Sequence, residues 1–544
     1  MVLLTDSFLM DLSILVVGVL GIFYWLATKN FGHWRKKGVP YIEPKPFVGN
    51  LQDMTLGKTS MGELLAKFYF DAVGKPYIGM FAFHRPILLV RDADVIKSIL
   101  VKDFNYFRDR TFSPDEKLDP MFTKNLFGLS GPRWRHIRVK LTPTFTTGKM
   151  KLMYEFVNEC GKEMVQLVNR ELGGGESGVL EMREILARYT TDTVASVGFG
   201  IQGNALKDPD AEFRRVLRKV VDFDFWLGLK AAVAFFAPSL LSTFRVRVWD
   251  SEITAFTRRV VWQTVEHREK TGLVRKDFLD LLMQIRAKGH VDGDGPHQPA
   301  AAAAAAANGD AAADGKTDGH AKDADGNIEF DGDLFAAQAF VFLAAGFETS
   351  STTQTFAMYE LACHPDVQTR LRREIRDALR ANGGQLTYDA MNNMTYLHHV
   401  VQEILRLYPV VPFLDRVSLA DYKLPNTNIT LDKGTTVMIP ILGIQRDPAI
   451  FEDPNSFRPD RFDESKGPVP PFPHMAFGEG PRTCIGMRMG YMQVKVGLVH
   501  FLNHYEVRPS KHTVVPAQFD PKSFLLASNG GMRLTVTKLH DAVC

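Results

Sequence analysis

Between Phe477 and Gly486 the sequence reads Phe-Gly-Glu-Gly-Pro-Arg-Thr-Cys-Ile-Gly, a glycine-rich turn that delivers one cysteine, Cys484, to the start of a helix expected over 487–503. A thiol in that position is stabilised as thiolate by the helix N-terminus and its free backbone N–H groups. Gly478 and Gly486 let the backbone lie close to a flat ligand, and Arg482 can pair with an anionic group on it. Zinc needs three or four protein ligands, and this motif contains neither a second Cys nor a His. A single soft thiolate suits an axial ligand to haem iron. The chain holds four cysteines in 544 residues, too few for a disulfide framework and in keeping with a reducing compartment.

The other end of the chain sets its surroundings. Leu12 to Thr28 is an uncharged run of 17 residues, about 25 Å long as a helix and at the short end for a bilayer core. Asp6 and Asp11 precede it, and Lys29, Arg35, Lys36 and Lys37 follow. That asymmetry predicts an uncleaved single-pass anchor with its C-terminal side cytoplasmic, in preference to a signal peptide or a buried helix. Pro40, Pro44 and Pro46 then predict a stiff hinge over 30–50. Lys+Arg 65 against Asp+Glu 62 leaves +3, which gives no electrostatic reason to expect a nucleic acid partner.

The body, 51–540, reads mainly helical. Residues 151–172 carry Leu152, Phe156, Cys160, Leu167 and Val168 at helical spacing. A helix over 365–382 opens at Pro365 and stops at Gly383, and one over 396–408 ends before Pro409. Strands are expected at Tyr77–Phe81 and Ile87–Val90 as a hairpin, and at Thr435–Ile439 and Met532–Val536. Residues 289–327 stand apart, with seven Gly, seven Asp and eight successive alanines at 300–307. Too apolar-poor to offset their ordering entropy, they read as a disordered surface insertion. Asp323-Ala-Asp325-Gly326 resembles part of a calcium loop, but Ala321 and Gly332 stand where its end ligands belong.

The Phe477–Gly486 pattern resembles the cysteine motif of the cytochrome P-450 family, the haem-thiolate monooxygenases, and further segments resemble the family in its expected order. Glu403-Ile-Leu-Arg406 is similar to the family's Glu-x-x-Arg helix, with Phe457-Arg-Pro459-Asp-Arg461-Phe462 downstream. Ala345-Gly346-Phe-Glu348-Thr349-Ser350 resembles the oxygen-activation segment of its long central helix, and Trp134-Arg-His-Ile-Arg138 its Trp-x-x-x-Arg helix. The resemblance covers about residues 30–540. It implies a mainly α fold with a minor β-sheet subdomain behind the single-pass N-terminal helix, and haem b (iron protoporphyrin IX) as cofactor. Cys484 would ligate the iron, and Phe477, Gly478, Arg482 and Gly486 would complete the cysteine loop. Trp134, Arg138, Arg482 and Arg416 would hold the propionates, and Glu348 with Thr349 would relay protons. A Glu403–Arg406–Arg461 network would have a structural role. Gly346 would let a small molecule approach the backbone. By position in the family, a substrate pocket would draw on Phe107, Phe112, Phe122, Phe223, Phe225, Trp226, Phe342, Ala345, Val410, Val411, Phe413, Phe524 and Leu525.

Arthropod microsomal members of the detoxifying kind are the most similar in pattern, as in Leu141–Lys151 and Ala339–Thr353. This implies insertion of one oxygen atom from dioxygen into lipophilic small molecules, at the cytosolic face of the endoplasmic reticulum membrane. The sequence has no flavin or nicotinamide fingerprint, so electrons would come from NADPH–cytochrome P-450 reductase, with a cytochrome b-type donor as a further partner. Arg133, Arg135, Lys140, Lys149 and Lys151 form a basic cluster suited to docking an acidic partner. The competing readings are an endogenous hormone or fatty-acid hydroxylase, a haem-thiolate isomerase, and a non-catalytic membrane haem or lipophile binder.

Overall fold

The structure, a computed structural model, describes residues 8–112, 114–222, 225–236, 238–292, 330, 332–467 and 474–543. The chain packs as two compact units, Met1–Thr111 with Phe413–Ile444, and Phe112–Pro412 with Gln445–Cys544.

The first unit begins with the apolar helix Phe8–Thr28, none of whose residues is buried. The stretch expected as a hinge is instead clamped to the sheet that follows. Trp34 is fully buried and its indole N–H donates to Met80 O at 3.1 Å. Gly79 admits that ring, since a Cβ there would lie 2.5 Å from Trp34. Four strands pair in the order Tyr77–Ala82, Arg85–Val90, Thr436–Ile439 and Leu414–Val417. The first and last pairs are antiparallel and the middle one is parallel. The expected hairpin is present, and the late run at Thr435–Ile439 is its third strand. Helix Met61–Asp71 packs in the same unit behind a capping box of Ser60 and Glu63.

The second unit is built on a 32-residue helix, Gly332–Cys363, buried along most of its length. Neighbouring helices approach it through small residues. A Cβ on Gly346 would meet Val194 Cγ1 at 2.9 Å, and one on Gly497 would meet Gln354 Oε1 at 2.0 Å. Gly346 therefore packs closely against helix Met182–Phe199. Helix Thr147–Glu171 buries Met153, Tyr154, Val157, Cys160, Leu167 and Val168, whereas Leu152 faces outward. The helices expected from Pro365 and before Pro409 span Pro365–Ala381 and Thr395–Leu407. Ser177–Glu181, Arg533–Lys538 and Tyr505–Pro509 make a small antiparallel sheet. Helix Phe278–Lys288 stops at Gly289, whose φ of 78° suits a residue without a side chain. The expected insertion 289–327 lies outside the described residues from 293 onward; Val291, at its start, is buried.

Candidate functional site

Cys484 stands two residues ahead of the first turn of helix Met487–His504. Its backbone N–H donates to Phe477 O at 2.9 Å, which closes the loop across Gly478 and Gly480 at φ 77° and 73°. Both glycines hold left-handed conformations that a side chain would oppose. Phe477 packs its ring 5.1 Å from Tyr491, on the helix the loop feeds. The loop is thus fixed at both ends, and Cys484 is exposed, unlike the buried Cys160 and half-buried Cys363.

Arg482 carries the loop to its neighbours. Its guanidinium lies 4.2 Å over the Trp134 ring, and Nη2 donates to Leu129 O at 2.8 Å. Trp134 and Arg138 are one turn apart on helix Gly131–Leu141. The segment before that helix hangs on the central helix, where Gln338 accepts from Leu126 N and donates to Lys124 O. Phe145 makes a second bridge. Its carbonyl accepts from Arg488 Nη1 at 3.2 Å, and its ring lies 6.3 Å from Phe342 of the central helix. Cys484, Arg482, Trp134 and the middle of the central helix are therefore brought together.

In that middle stretch a strip of the buried helix becomes accessible. Ala345 is exposed, and Val341, Ala344, Gly346 and Thr349 are half-buried between buried neighbours. Thr349 donates its hydroxyl hydrogen to Ala345 O at 2.6 Å, and the helix remains continuous through it. Its oxygen keeps lone pairs for another donor. Glu348 is buried, and Arg183 Nη2 and Thr352 Oγ1 each lie 3.4 Å from its Oε1. Burial pushes the Glu348 carboxyl up, while Arg183 and then Arg214 oppose that rise. Arg183, 165 positions away, carried no sequence signal.

Glu403, Arg406 and Arg461 do form a network. Glu403 accepts from Arg406 Nε and Nη2 at 2.7 and 2.8 Å, and from Arg461 Nε and Arg458 N at 2.9 Å. The remaining Arg406 hydrogens go to the carbonyls of Gln445, Pro454 and Ser456.

The expected pocket residues divide. Ala345 opens onto the accessible strip, and Val411, Phe524 and Leu525 are half-buried, whereas Val410 is buried. Phe342 stacks on Phe278 at 4.5 Å, and Phe122 lies flat on Trp249 at 3.5 Å with Phe112 edge-on to the same indole. Phe342 is buried, whereas Phe112 and Phe122 are half-buried. Trp226 is 66% exposed. Phe223 lies outside the described residues, as does the Phe225 side chain. Phe107, Phe413 and Arg416 belong to the first unit. There Phe107 is fully buried, 4.8 Å from the Tyr422 ring, and Phe413 is buried. Arg416 is buried, its Nη1 donates to Asp415 O at 2.7 Å, and its Nε has no partner. Burial, then Arg110, pushes its guanidinium down to about 10.

The sequence matches the family described as cytochrome P-450 over residues 39–306 and 310–534. Among similar proteins, cytochrome P-450 6j1 of Blattella germanica is 42% identical over 519 residues, covering 95% of this chain and 96% of its own. Cytochrome P-450 6k1 of the same cockroach is 39% identical across 99% of both chains. Probable cytochrome P-450 6g2 of Drosophila melanogaster is 37% identical over 97% and 98%. The chain belongs to the cytochrome P-450 family. As a cytochrome P-450 it is a monooxygenase with haem b as cofactor. The residues present fit that group. An exposed thiol lies at a fixed loop, and an accessible strip interrupts a buried helix.

Proposed function

We propose that this cytochrome P-450 is a microsomal monooxygenase of lipophilic small molecules, held to the endoplasmic reticulum by helix Phe8–Thr28 with its catalytic body on the cytosolic face. The observation that carries the site assignment is the exposed Cys484 in a loop closed on Phe477 O, with Arg482 stacked on Trp134 beside it. When bound, haem b supplies activation of dioxygen, which no amino-acid side chain performs. Cys484 would hold the iron as thiolate, and Trp134, Arg138, Arg416 and Arg482 would bind the propionates through N–H donors. Thr349 would pass a proton at Oγ1, with Glu348 as the acid behind it. Phe477 and the loop glycines would fix where the sulfur sits. The half-buried Val411, Phe524 and Leu525, with Ala345, would present an apolar wall that favours lipophilic substrates.

Electrons would come from NADPH–cytochrome P-450 reductase, assisted by a cytochrome b-type donor. The basic cluster is narrower than its sequence suggests. Arg133 pairs with Glu116 at 3.1 Å, Lys151 with Asp389 at 2.8 Å, and Lys149 donates to Asp292 O. Arg135 and Lys140 remain to face an acidic partner. The relatives' membership among insect enzymes supports xenobiotic detoxification as the biological setting. The carbon-monoxide difference spectrum of the reduced protein tests the ligand. A strongly red-shifted Soret band that Cys484→Ser abolishes supports the reading, and an ordinary haem–CO band in folded wild type sinks it. Glycosylation at Asn393 or Asn428 would place the body in the lumen and overturn the topology.

A further inference from the structure

Lys495 sits on helix Met487–His504 and is 4% exposed. An ammonium is expensive to bury unless a partner answers it, and no carboxylate lies within 4 Å of this one among the described residues. Burial pushes it down to about 8, and Glu374 opposes that fall. It therefore still carries its charge at pH 7. Glu374, from helix Pro365–Ala381, is itself engaged, since its two oxygens accept from Tyr396 N and Leu397 N at 2.8 Å each. Those N–H groups belong to the first turn of helix Thr395–Leu407, whose N-terminus offsets part of the carboxylate's charge. The remaining titratable neighbours are basic. His398 on that helix is held down by burial first and then by Lys495, His399 and His474. Its Nδ1 has no partner. The balance of charge around Lys495 is positive.

This charge stands behind the Cys484 loop. Tyr491 lies one turn before Lys495 on the same helix face. Its ring is 5.0 Å from His398 on one side and 5.1 Å from Phe477 on the other. Phe477 O accepts from Cys484 N at 2.9 Å. A Cβ on Gly490 would lie 3.6 Å from the Phe477 ring, so loop and helix are in contact. Lys495 is eight residues past Met487, the first of the helix, about 12 Å along the axis. Packed rings fill part of that interval, and Met489, Met492 and Val494 on the same helix are buried. Such a medium screens a charge far less than water does.

We propose that Lys495 tunes the reaction by charge: its buried ammonium raises the reduction potential of the haem held at the Cys484 loop. A cation favours the state that holds one more electron, and burial lets its field reach the loop. Glu374, the acid beside it, acts with the opposite sign. A buried ammonium without a carboxylate partner costs stability. Lys495→Met should therefore keep or raise the urea midpoint, and what it removes is the field. This inference rests on Cys484 as the iron ligand, and the test separates the two.

The ferric–ferrous midpoint potential of the full-length holoprotein is measured by redox titration at pH 7 for wild type, Lys495→Met and Glu374→Gln. The carbon-monoxide spectrum of each is recorded alongside. The expected result is a lower potential in Lys495→Met and a higher one in Glu374→Gln, with the red-shifted Soret band kept in all three. An unchanged potential in Lys495→Met, or shifts of one sign in both variants, overturns the tuning role and leaves the thiolate ligand standing. Should Lys495→Met fail to hold haem, the wild-type potential between pH 7 and 9 decides. A fall across that range, where the ammonium loses its proton, supports the inference, and a level potential overturns it. A wild type without the red-shifted band overturns the ligand and the inference together.

Discussion

The second unit contains two clusters of charge and polarity that end in opposite states. Around Glu403 the buried charges are answered from within the protein. Glu403 and Arg406 are fully buried, and all five guanidinium hydrogens of Arg406 meet an acceptor. Around Cys484 the backbone is just as firmly tied, but the thiol is exposed and the strip from Val341 to Thr349 is accessible inside a buried helix. The first cluster is closed on itself; the second presents its thiol at the surface. A buried charge network that satisfies itself has no chemistry left to offer, and a rigid loop that presents an exposed thiol does.

That contrast is broken most sharply at Cys484. Cys484→Ser should abolish the red-shifted carbon-monoxide band while far-ultraviolet circular dichroism stays near wild type. Next in size, Thr349→Ala or Glu348→Gln should lower product formation by roughly 10²–10⁴-fold, the range acid–base groups contribute, with haem content retained. Arg183→Gln would remove the counter-ion of Glu348, so the carboxyl should hold its proton to higher pH and the basic limb of the rate profile should move up. Glu403→Ala tests the closed cluster. It strands two arginines and should cost about 3–5 kcal/mol in denaturant unfolding.

Acid should distinguish the clusters more gently. His398 lies on the Glu403 helix and His500 on the helix after Cys484. Burial holds them at about 4 and about 3, below the ordinary 6.5. The unfolded chain takes up these protons from about pH 6.5 downward, and the folded chain resists until near pH 4. Their contribution to stability is therefore complete above pH 6.5 and lost as pH falls through the folded values. Urea midpoints at pH 7, 5.5 and 4.5 should decline in that order, less steeply for His398→Leu. The smallest effect is expected at the surface, where Arg135→Glu with Lys140→Glu should raise the reductase concentration needed for half-maximal turnover several-fold at low salt, and little at high salt.

The parts legible in the sequence were those with local grammar. The cysteine loop needs glycine at positive φ, and Glu403 and Arg406 share a helix face by their spacing. Pro365 opened its helix, and Gly383 follows its end at φ 62°. What escaped was decided by distant neighbours. Arg183 meets Glu348, and Gln338 holds Leu126, across separations no spacing rule spans. Gly346 showed a missing side chain but not that Val194 fills the space. The aromatics were hardest, because a phenylalanine is the same residue lining a pocket or filling a core. Phe342 is buried against Phe278, while Phe122 lies half-buried against Trp249. Trp34 shows the converse, since prolines nearby suggested a hinge and one buried indole makes a clamp.

Val291 is buried, Lys149 Nζ donates to Asp292 O, and Phe330 is buried on the far side of the alanine-rich stretch. Each foot of the stretch is pinned by its own contacts. For protein engineering this is a socket. A fluorescent domain or an affinity handle spliced between 300 and 320 would tag this catalyst without either terminus being touched.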